Sequence, residues 1–191
     1  MSPGTVFYHF YHKPLGTIRK TLKMGIGQTV ATNRGRKQMM RTATTLREMW
    51  NEGAEQLDVY FLTGKKYWFQ TAFCLYSLQQ NADMNIHAYV VDDGSFDDEL
   101  EGLAKQCFPN SVTIVKSKKI NHFLDKKLPE SEFPVLRRRR IEYPHLRKLT
   151  DVHVLPGEGP KLVLDSDMLF FHRPDEMLKW LRNPKGFLFM R

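Results

Sequence analysis

From residue 57 onward, short apolar runs of strand length alternate with longer segments patterned like helices. "LDVYFLTG" predicts a strand that ends at Gly64. "KYWFQTAFCLYSLQQN" has helical length, is apolar on most sides, and stops at a polar cluster. "NIHAYVVDDGS" predicts a second strand closed by Asp-Gly-Ser. "DDELEGLAKQCF" predicts a helix opened by acidic residues, which suit a helix N-terminus. "SVTIVKS" is a third strand, and residues 116–142 form a polar, basic excursion. A helical "EYPHLRKLTDVHVL", a turn "PGEGP" and a strand "KLVLDSDMLFF" follow. "RPDEMLKWLRN" is a helix, and "GFLFMR" begins one more strand. Strands alternating with helices predict an α/β fold with a mainly parallel, Rossmann-like sheet. Ligands of such sheets bind outside the carboxyl ends of the strands. Thr63-Gly64, Asp92-Asp93 and Asp165-Ser166-Asp167 all fall at that edge.

Composition narrows the class. The chain has 191 residues, of which 41% are hydrophobic and 12% aromatic, enough for a real core. No apolar run reaches the roughly 18 residues of a membrane span. The N-terminus lacks the pattern of a signal peptide, so a cytoplasmic location is expected, with peripheral contact at the inner face of the membrane. Cys74 and Cys107 lie in separate segments without metal-binding spacing, which predicts two buried free thiols.

The net charge of +8 is unevenly placed. Residues 1–50 hold nine Lys/Arg and one acidic residue, Glu48, whereas basic and acidic residues balance from residue 51 on. This divides the chain into a basic N-terminal arm, 1–50, and a domain, 51–191. The arm also carries Phe7, Tyr8, Phe10 and Tyr11, which suits weak association with an anionic membrane. A nucleic-acid partner is not expected, since the arm shows no folded reader motif. Arg137 to Arg140 form a second basic run, which fits either a solvated helix face or attraction of a polyanion or membrane.

Asp165 and Asp167 flank one small residue at a strand end. In an extended chain such side chains point the same way, so both carboxylates can approach one cation. Carboxylate oxygens favour Mg²⁺ or Mn²⁺, which take one or two protein carboxylates together with substrate phosphates. Without such compensation, carboxylates within a buried strand would be costly. Asp92 and Asp93 end another strand. They can accept hydrogen bonds from a base or ribose, or shape a turn and cap the next helix.

"YFLTG", "VVDDGSFDDEL" and "KLVLDSDMLFF" stand in an order that resembles the A-type glycosyltransferase fold, in its nucleotide-sugar-binding half. "YPHLRKLTDVHVLPGEGPKLVLDSDMLFF" is similar to the retaining family that includes glycogenin and lipopolysaccharide galactosyltransferases. "VVDDGSFDD" also resembles the large inverting family with "VDDGS" motifs. The resemblance implies transfer of a sugar from a nucleotide-diphosphate donor to a glycan or lipid-linked acceptor, as in cell-envelope polysaccharide synthesis. It implies that Thr63 contacts the base or ribose and that Asp93 binds the base. Lys148 faces the diphosphate, with Arg147 as its possible substitute. Asp165 contacts ribose and metal, and Asp167 binds the metal, Mn²⁺ or Mg²⁺. Lys65 and Lys66 could approach phosphate, although "TGKK" lacks phosphate-loop spacing.

The family's acceptor site, catalytic group and further metal ligand follow the strand at which this sequence stops. The catalytic residues are therefore expected beyond Arg191, the chain is expected to be incomplete at its C-terminus, and His172 is too close to the DxD strand to be that ligand. Three other readings compete. A haloacid-dehalogenase-type phosphatase shares the apolar-DxD-apolar form, but the DxDxT or DGT continuation is missing. A truncated or non-catalytic nucleotide-binding module is the second alternative. A nucleotidyltransferase is the third, for which "TGKKYW" is a poor match.

Overall fold

The computed structural model describes residues 22–23, 25–157 and 159–186. They fall into two compact units, divided between Thr42 and Ala43. The first contains α1 (Ile26–Thr42), in which no side chain is buried and no acidic residue occurs in the first turn. Arg34, Arg36, Lys37 and Arg41 lie along it. Phe7, Tyr8, Phe10 and Tyr11 lie outside the described residues, as does the strand expected over 187–191.

The second unit contains β1 (Gln56–Thr63), α2 (Trp68–Asn81), β2 (Asn85–Asp92), α3 (Asp98–Cys107), β3 (Val112–Val115) and α4 (Ser117–Lys127). It continues with α5 (Pro134–Glu142), a 3₁₀ turn (Pro144–Leu146), α6 (Arg147–His153), β4 (Val163–Leu164) and α7 (Asp175–Arg182). The four strands form one sheet in the order β3-β2-β1-β4, and every pairing is parallel. The unit is thus an α/β fold of the Rossmann-like kind. Its strands are near-continuous apolar runs because both faces of a parallel sheet are covered. Tyr60, Leu62, Tyr89, Val91 and Val163 pack with Ile120 and Leu124 of α4 and Val152 of α6. Val59, Phe61, Ile86, Ala88 and Val90 have the opposite parity and are fully buried, and α2 packs against β1 and β2.

The order matters for function. The chain builds outward from β1 to β3, then returns to place β4 on the other side of β1. The sheet order therefore reverses between β1 and β4, which opens a crevice at their carboxyl ends.

Three expectations are corrected. The strand expected over "KLVLDSDMLFF" contracts to Val163–Leu164, because β4 pairs only with Tyr60 and Phe61 of β1 and then turns at Ser166–Asp167. The excursion 116–142 is two helices, α4 and α5. The segment "EYPHLRKLTDVHVL" is split, since Glu142 ends α5 and a 3₁₀ turn precedes α6.

The α/β unit also begins at Ala43 rather than Asn51. Ala43 and Leu46 are buried, and the Cys107 thiol donates to the Ala43 carbonyl at 3.6 Å. The Glu48 carboxylate accepts hydrogen bonds from the Asn110 and Ser111 amides at 3.0 and 2.8 Å and from the Ser111 hydroxyl. Residues 43–50 thus belong to the body despite sharing the arm's composition. Cys74 and Cys107 are buried free thiols. Among the described residues, no helix is long and apolar enough to cross a membrane.

Candidate functional site

A cleft of about 750 Å³ opens at the carboxyl ends of β1, β2 and β4, on the crevice that the sheet order creates. β1 contributes Leu62 and Thr63 to it, and the start of α2 adds Tyr67 and Gln70. Asp93 follows β2, while Pro144, His145, Arg147 and Lys148 come from the 3₁₀ turn and α6. Asp165, Ser166 and Asp167 follow β4. All five predicted donor- and metal-site residues (Thr63, Asp93, Lys148, Asp165 and Asp167) therefore line one cleft.

Asp92 and Asp93 divide two roles between them. Asp92 is buried, and its Oδ1 accepts the amides of Gly94 at 2.7 Å and Phe96 at 3.0 Å. Its Oδ2 accepts the Ser117 amide at the start of α4, at 3.3 Å. Gly94 takes a φ of 100°, a conformation that glycine adopts without strain. Asp93 turns instead to the cleft. Its Oδ1 accepts the Ser95 amide at 3.0 Å and the Ser95 hydroxyl at 2.5 Å. Oδ2 has no partner among the described residues. The next helix is capped by neither, since Asp97 accepts the Leu100 amide at 2.9 Å.

The floor of the cleft is fixed from below. The Asp93 amide donates to the Thr63 carbonyl at 3.0 Å, so β1 and the β2 terminus remain joined past the last strand pair. A Cβ on Gly64 would overlap the Asp93 carboxylate, so glycine is what lets that carboxylate lie against the end of β1. Thr71 Oγ1, on α2, lies 2.9 Å from both Thr63 Oγ1 and Ser166 Oγ. One hydroxyl has one proton and two lone pairs, so the three form a short chain that ties β1 to the DxD turn.

The DxD segment itself is a turn, with the Met168 amide 3.4 Å from the Asp165 carbonyl. The extended-chain argument for the two carboxylates therefore does not apply; the turn brings both to the cleft. Both are also exposed rather than buried, so water offsets the desolvation cost expected for a buried strand. The Lys148 ammonium pairs with Asp165. Asp167 carries no hydrogen bond or ion pair among the described residues. Its charge, added to a larger effect of burial, pushes the Cys74 thiol up to about 12.

Among the described residues, no three His, Cys, Asp or Glu side chains form a group that could hold a metal ion. A closed metal cage is therefore not built from these side chains. An Mg²⁺- or Mn²⁺-type ion needs only one or two carboxylates when substrate phosphates complete its shell. Asp165 and Asp167, exposed at the cleft beside the Lys148 ammonium, fit that partial donor set.

Arg147 was expected only as a substitute for Lys148, and its place is different. Its Nη1 donates to the Asp93 carbonyl at 2.7 Å, while its Nε is buried without a hydrogen-bond partner. Consecutive residues of α6 thus reach opposite walls, Arg147 to the β2 loop and Lys148 to the DxD turn. Lys65 and Lys66 do not line the cleft. Lys65 pairs with Asp97, which holds that carboxyl below its usual range and raises the lysine, and Lys66 lies over the Tyr67 ring at 4.8 Å. His172 is exposed in the chain after the turn and does not line the cleft. Tyr67, Gln70 and His145 escaped the sequence reading. Tyr67 is an exposed aromatic ring just before α2, and the adjoining Trp68 and Phe69 hide it in the sequence as one more apolar residue.

Comparison with protein families, with curated proteins and with solved structures gave no match for this chain.

Proposed function

We propose that the cleft binds a nucleotide-diphosphate sugar and that the protein is a metal-dependent glycosyltransferase of the A-type fold, similar to the retaining glycogenin-like family. The observation that carries this reading is the meeting of Asp165 and Asp167 with Asp93 and Lys148 in one crevice where the sheet order reverses. Asp93 Oδ2 is free to accept from a base or ribose, and the Tyr67 ring offers an apolar face for the base. Lys148 exchanges its contact with Asp165 for the donor diphosphate. Arg147 Nε gains the acceptor it lacks when an anionic oxygen enters. Asp165 and Asp167 hold the divalent cation, which when bound supplies Lewis-acid stabilisation of charge on the departing diphosphate. In the transfer, the bond from the sugar's anomeric carbon to the diphosphate breaks and one to an acceptor hydroxyl forms, with loss of that hydroxyl's proton. The acceptor is a glycan or a lipid-linked saccharide. On this reading the protein works from the cytoplasmic side, and the basic residues before Ala43 add attraction to anionic lipid.

Calorimetric titration with UDP and with GDP, with and without Mn²⁺ or Mg²⁺, tests the proposal. Binding of one nucleotide is expected to strengthen with metal, and Asp167→Ala is expected to abolish that gain. Equal affinity in wild type and variant at saturating metal would overturn it. Metal-dependent binding of nucleoside diphosphates with no binding of any nucleotide-diphosphate sugar would retain the site and overturn the sugar-donor reading.

A further inference from the structure

α5, "PVLRRRRIE", has no buried residue, and its four arginines are divided by the helix into two pairs. Arg137 and Arg140 face the body. Arg140 makes two bonds to the fully buried Asp151, at 2.5 and 2.6 Å. Arg137 bonds the Leu128 carbonyl at 3.0 Å and Asp125 at 2.8 Å. Arg138 and Arg139 are exposed and share a single carboxylate, Glu142, at 3.7 and 2.9 Å. Val135 and Ile141 lie exposed beside them, at 62% and 69%. Phe133 and Tyr143 flank the helix and are exposed as well. The outer face is therefore cationic and apolar together, with an aromatic ring at each end. Exposed basic side chains beside aromatic rings are the groups that suit an anionic membrane surface.

The charge of the surrounding chain points the same way. Residues 116–149 hold eleven Lys/Arg against four Asp/Glu, whereas residues 51–115 hold three against ten. The zero balance of the body thus conceals two segments of opposite sign, and α5 lies in the positive one. Lys118, Lys119, Lys126 and Lys127 of α4 are exposed in the same segment. A protein partner chosen by apolar contact alone would not need this excess of cations, whereas an anionic lipid surface does.

We propose that the outer face of α5 docks the protein on an anionic bilayer. Tyr143 leads directly into Pro144 and His145, which line the cleft, so docking brings the cleft mouth near the lipid surface. The placement rests on the reading of the cleft as a glycosyltransferase site only in giving docking a purpose, delivery of a lipid-linked acceptor. The attraction itself follows from α5.

Co-sedimentation of the full chain with vesicles of phosphatidylcholine, alone or with phosphatidylglycerol, tests the proposal. Pelleting is expected only with the anionic vesicles and is expected to weaken with salt. Arg138→Glu with Arg139→Glu is expected to lower the partition coefficient at least about tenfold. Val135→Ser with Ile141→Ser is expected to lower it severalfold at unchanged charge. Far-ultraviolet circular dichroism and nucleotide titration of the same variants are expected to match wild type, because none of these side chains is buried or lines the cleft. Absence of pelleting overturns the proposal, as does pelleting that the α5 variants leave intact but Arg34→Glu with Lys37→Glu abolishes. Self-association in sedimentation velocity that the α5 apolar variants abolish would assign the face to a second copy and also overturn it. Nucleotide binding is read separately, so docking and the cleft reading can fail independently.

Discussion

Asp92 commits both carboxylate oxygens to the backbone around the β2 terminus, while Asp93 keeps one oxygen free toward the cleft. Asp93→Ala is therefore expected to weaken nucleotide binding by about 1.5–3 kcal/mol, the value of a hydrogen bond to a charged group, with the melting temperature little changed. Asp92→Ala is expected to lower the melting temperature instead, and titration beside thermal unfolding separates the two. Gly64→Ala is expected to displace the Asp93 carboxylate and to mimic the binding loss of Asp93→Ala. Thr71→Val breaks the hydroxyl chain from Thr63 to Ser166 and is expected to cost about 1–3 kcal/mol of stability in denaturant unfolding. At this scale the residue pattern showed that Asp92-Asp93 sits at a strand end, and only the family resemblance singled out Asp93, because a turn, not strand parity, decides which residue faces out. Asp165 and Asp167 were legible as a pair through their motif, although the geometry that presents them is a turn. Arg147 was visible as a cation, but its reach to the Asp93 carbonyl depends on how α6 approaches β2, which no local pattern encodes.

The helices α5 and α6 are joined by charge where other elements are joined by apolar packing. Asp151 has no exposed surface, and Arg140 is its cationic partner, with the Thr150 hydroxyl adding a bond at 2.8 Å. Removing the arginine leaves a buried carboxylate without its counter-ion. Arg140→Met is expected to destabilise the body by about 3–5 kcal/mol, and Arg140→Met with Asp151→Leu to recover most of that loss. Urea unfolding of the single and double variants measures both. Arg138→Met, on the exposed face, is expected to change stability by less than about 1 kcal/mol. The run of four arginines reads the same from either side in the sequence; only the positions of Asp151, Asp125 and the Leu128 carbonyl separate the structural pair from the solvent-facing pair. By contrast, β1, β2 and α2 were legible almost to the residue, because elements covered on every side leave an uninterrupted apolar signature. β4 was overextended for the same reason, since "KLVL" and "MLFF" are apolar on both sides of the turn.

For the whole molecule, acid is expected to act first through His153. Partial desolvation of the ring, and then the nearby Lys161 charge, hold its imidazole below the usual 6.5, although the residue as a whole is exposed. Above that pH neither the folded nor the unfolded chain protonates it, and its contribution to stability is complete. Below it, the unfolded chain takes the proton first, so stability falls until the folded pKa is reached. The depressed carboxyls of Asp97, paired with Lys65, and Glu101, paired with Lys105 and Lys116, add a second loss at lower pH. Their ordinary values of 3.8 and 4.5 put its start below about pH 5. Melting temperature is expected to decline from pH 7 to 5, and His153→Gln is expected to flatten that first limb while leaving the second. The α/β class and the parallel sheet were legible at this scale from the alternation of elements. The start of the body was not, because residues 43–50 have the arm's composition and are tied in only by distant partners.

Those ties also impose an order in time. Ala43 and Glu48 are made early, yet their partners Cys107 and Ser111 come more than sixty residues later in the chain. On a ribosome, β1 and α2 are synthesised and can begin to pair before residues 43–48 have these partners to bind. Synthesis at ~5–20 residues per second leaves that segment without its partners for several seconds. A stretch that is among the first of the body to be made thus stays open until residues more than sixty positions later have followed it.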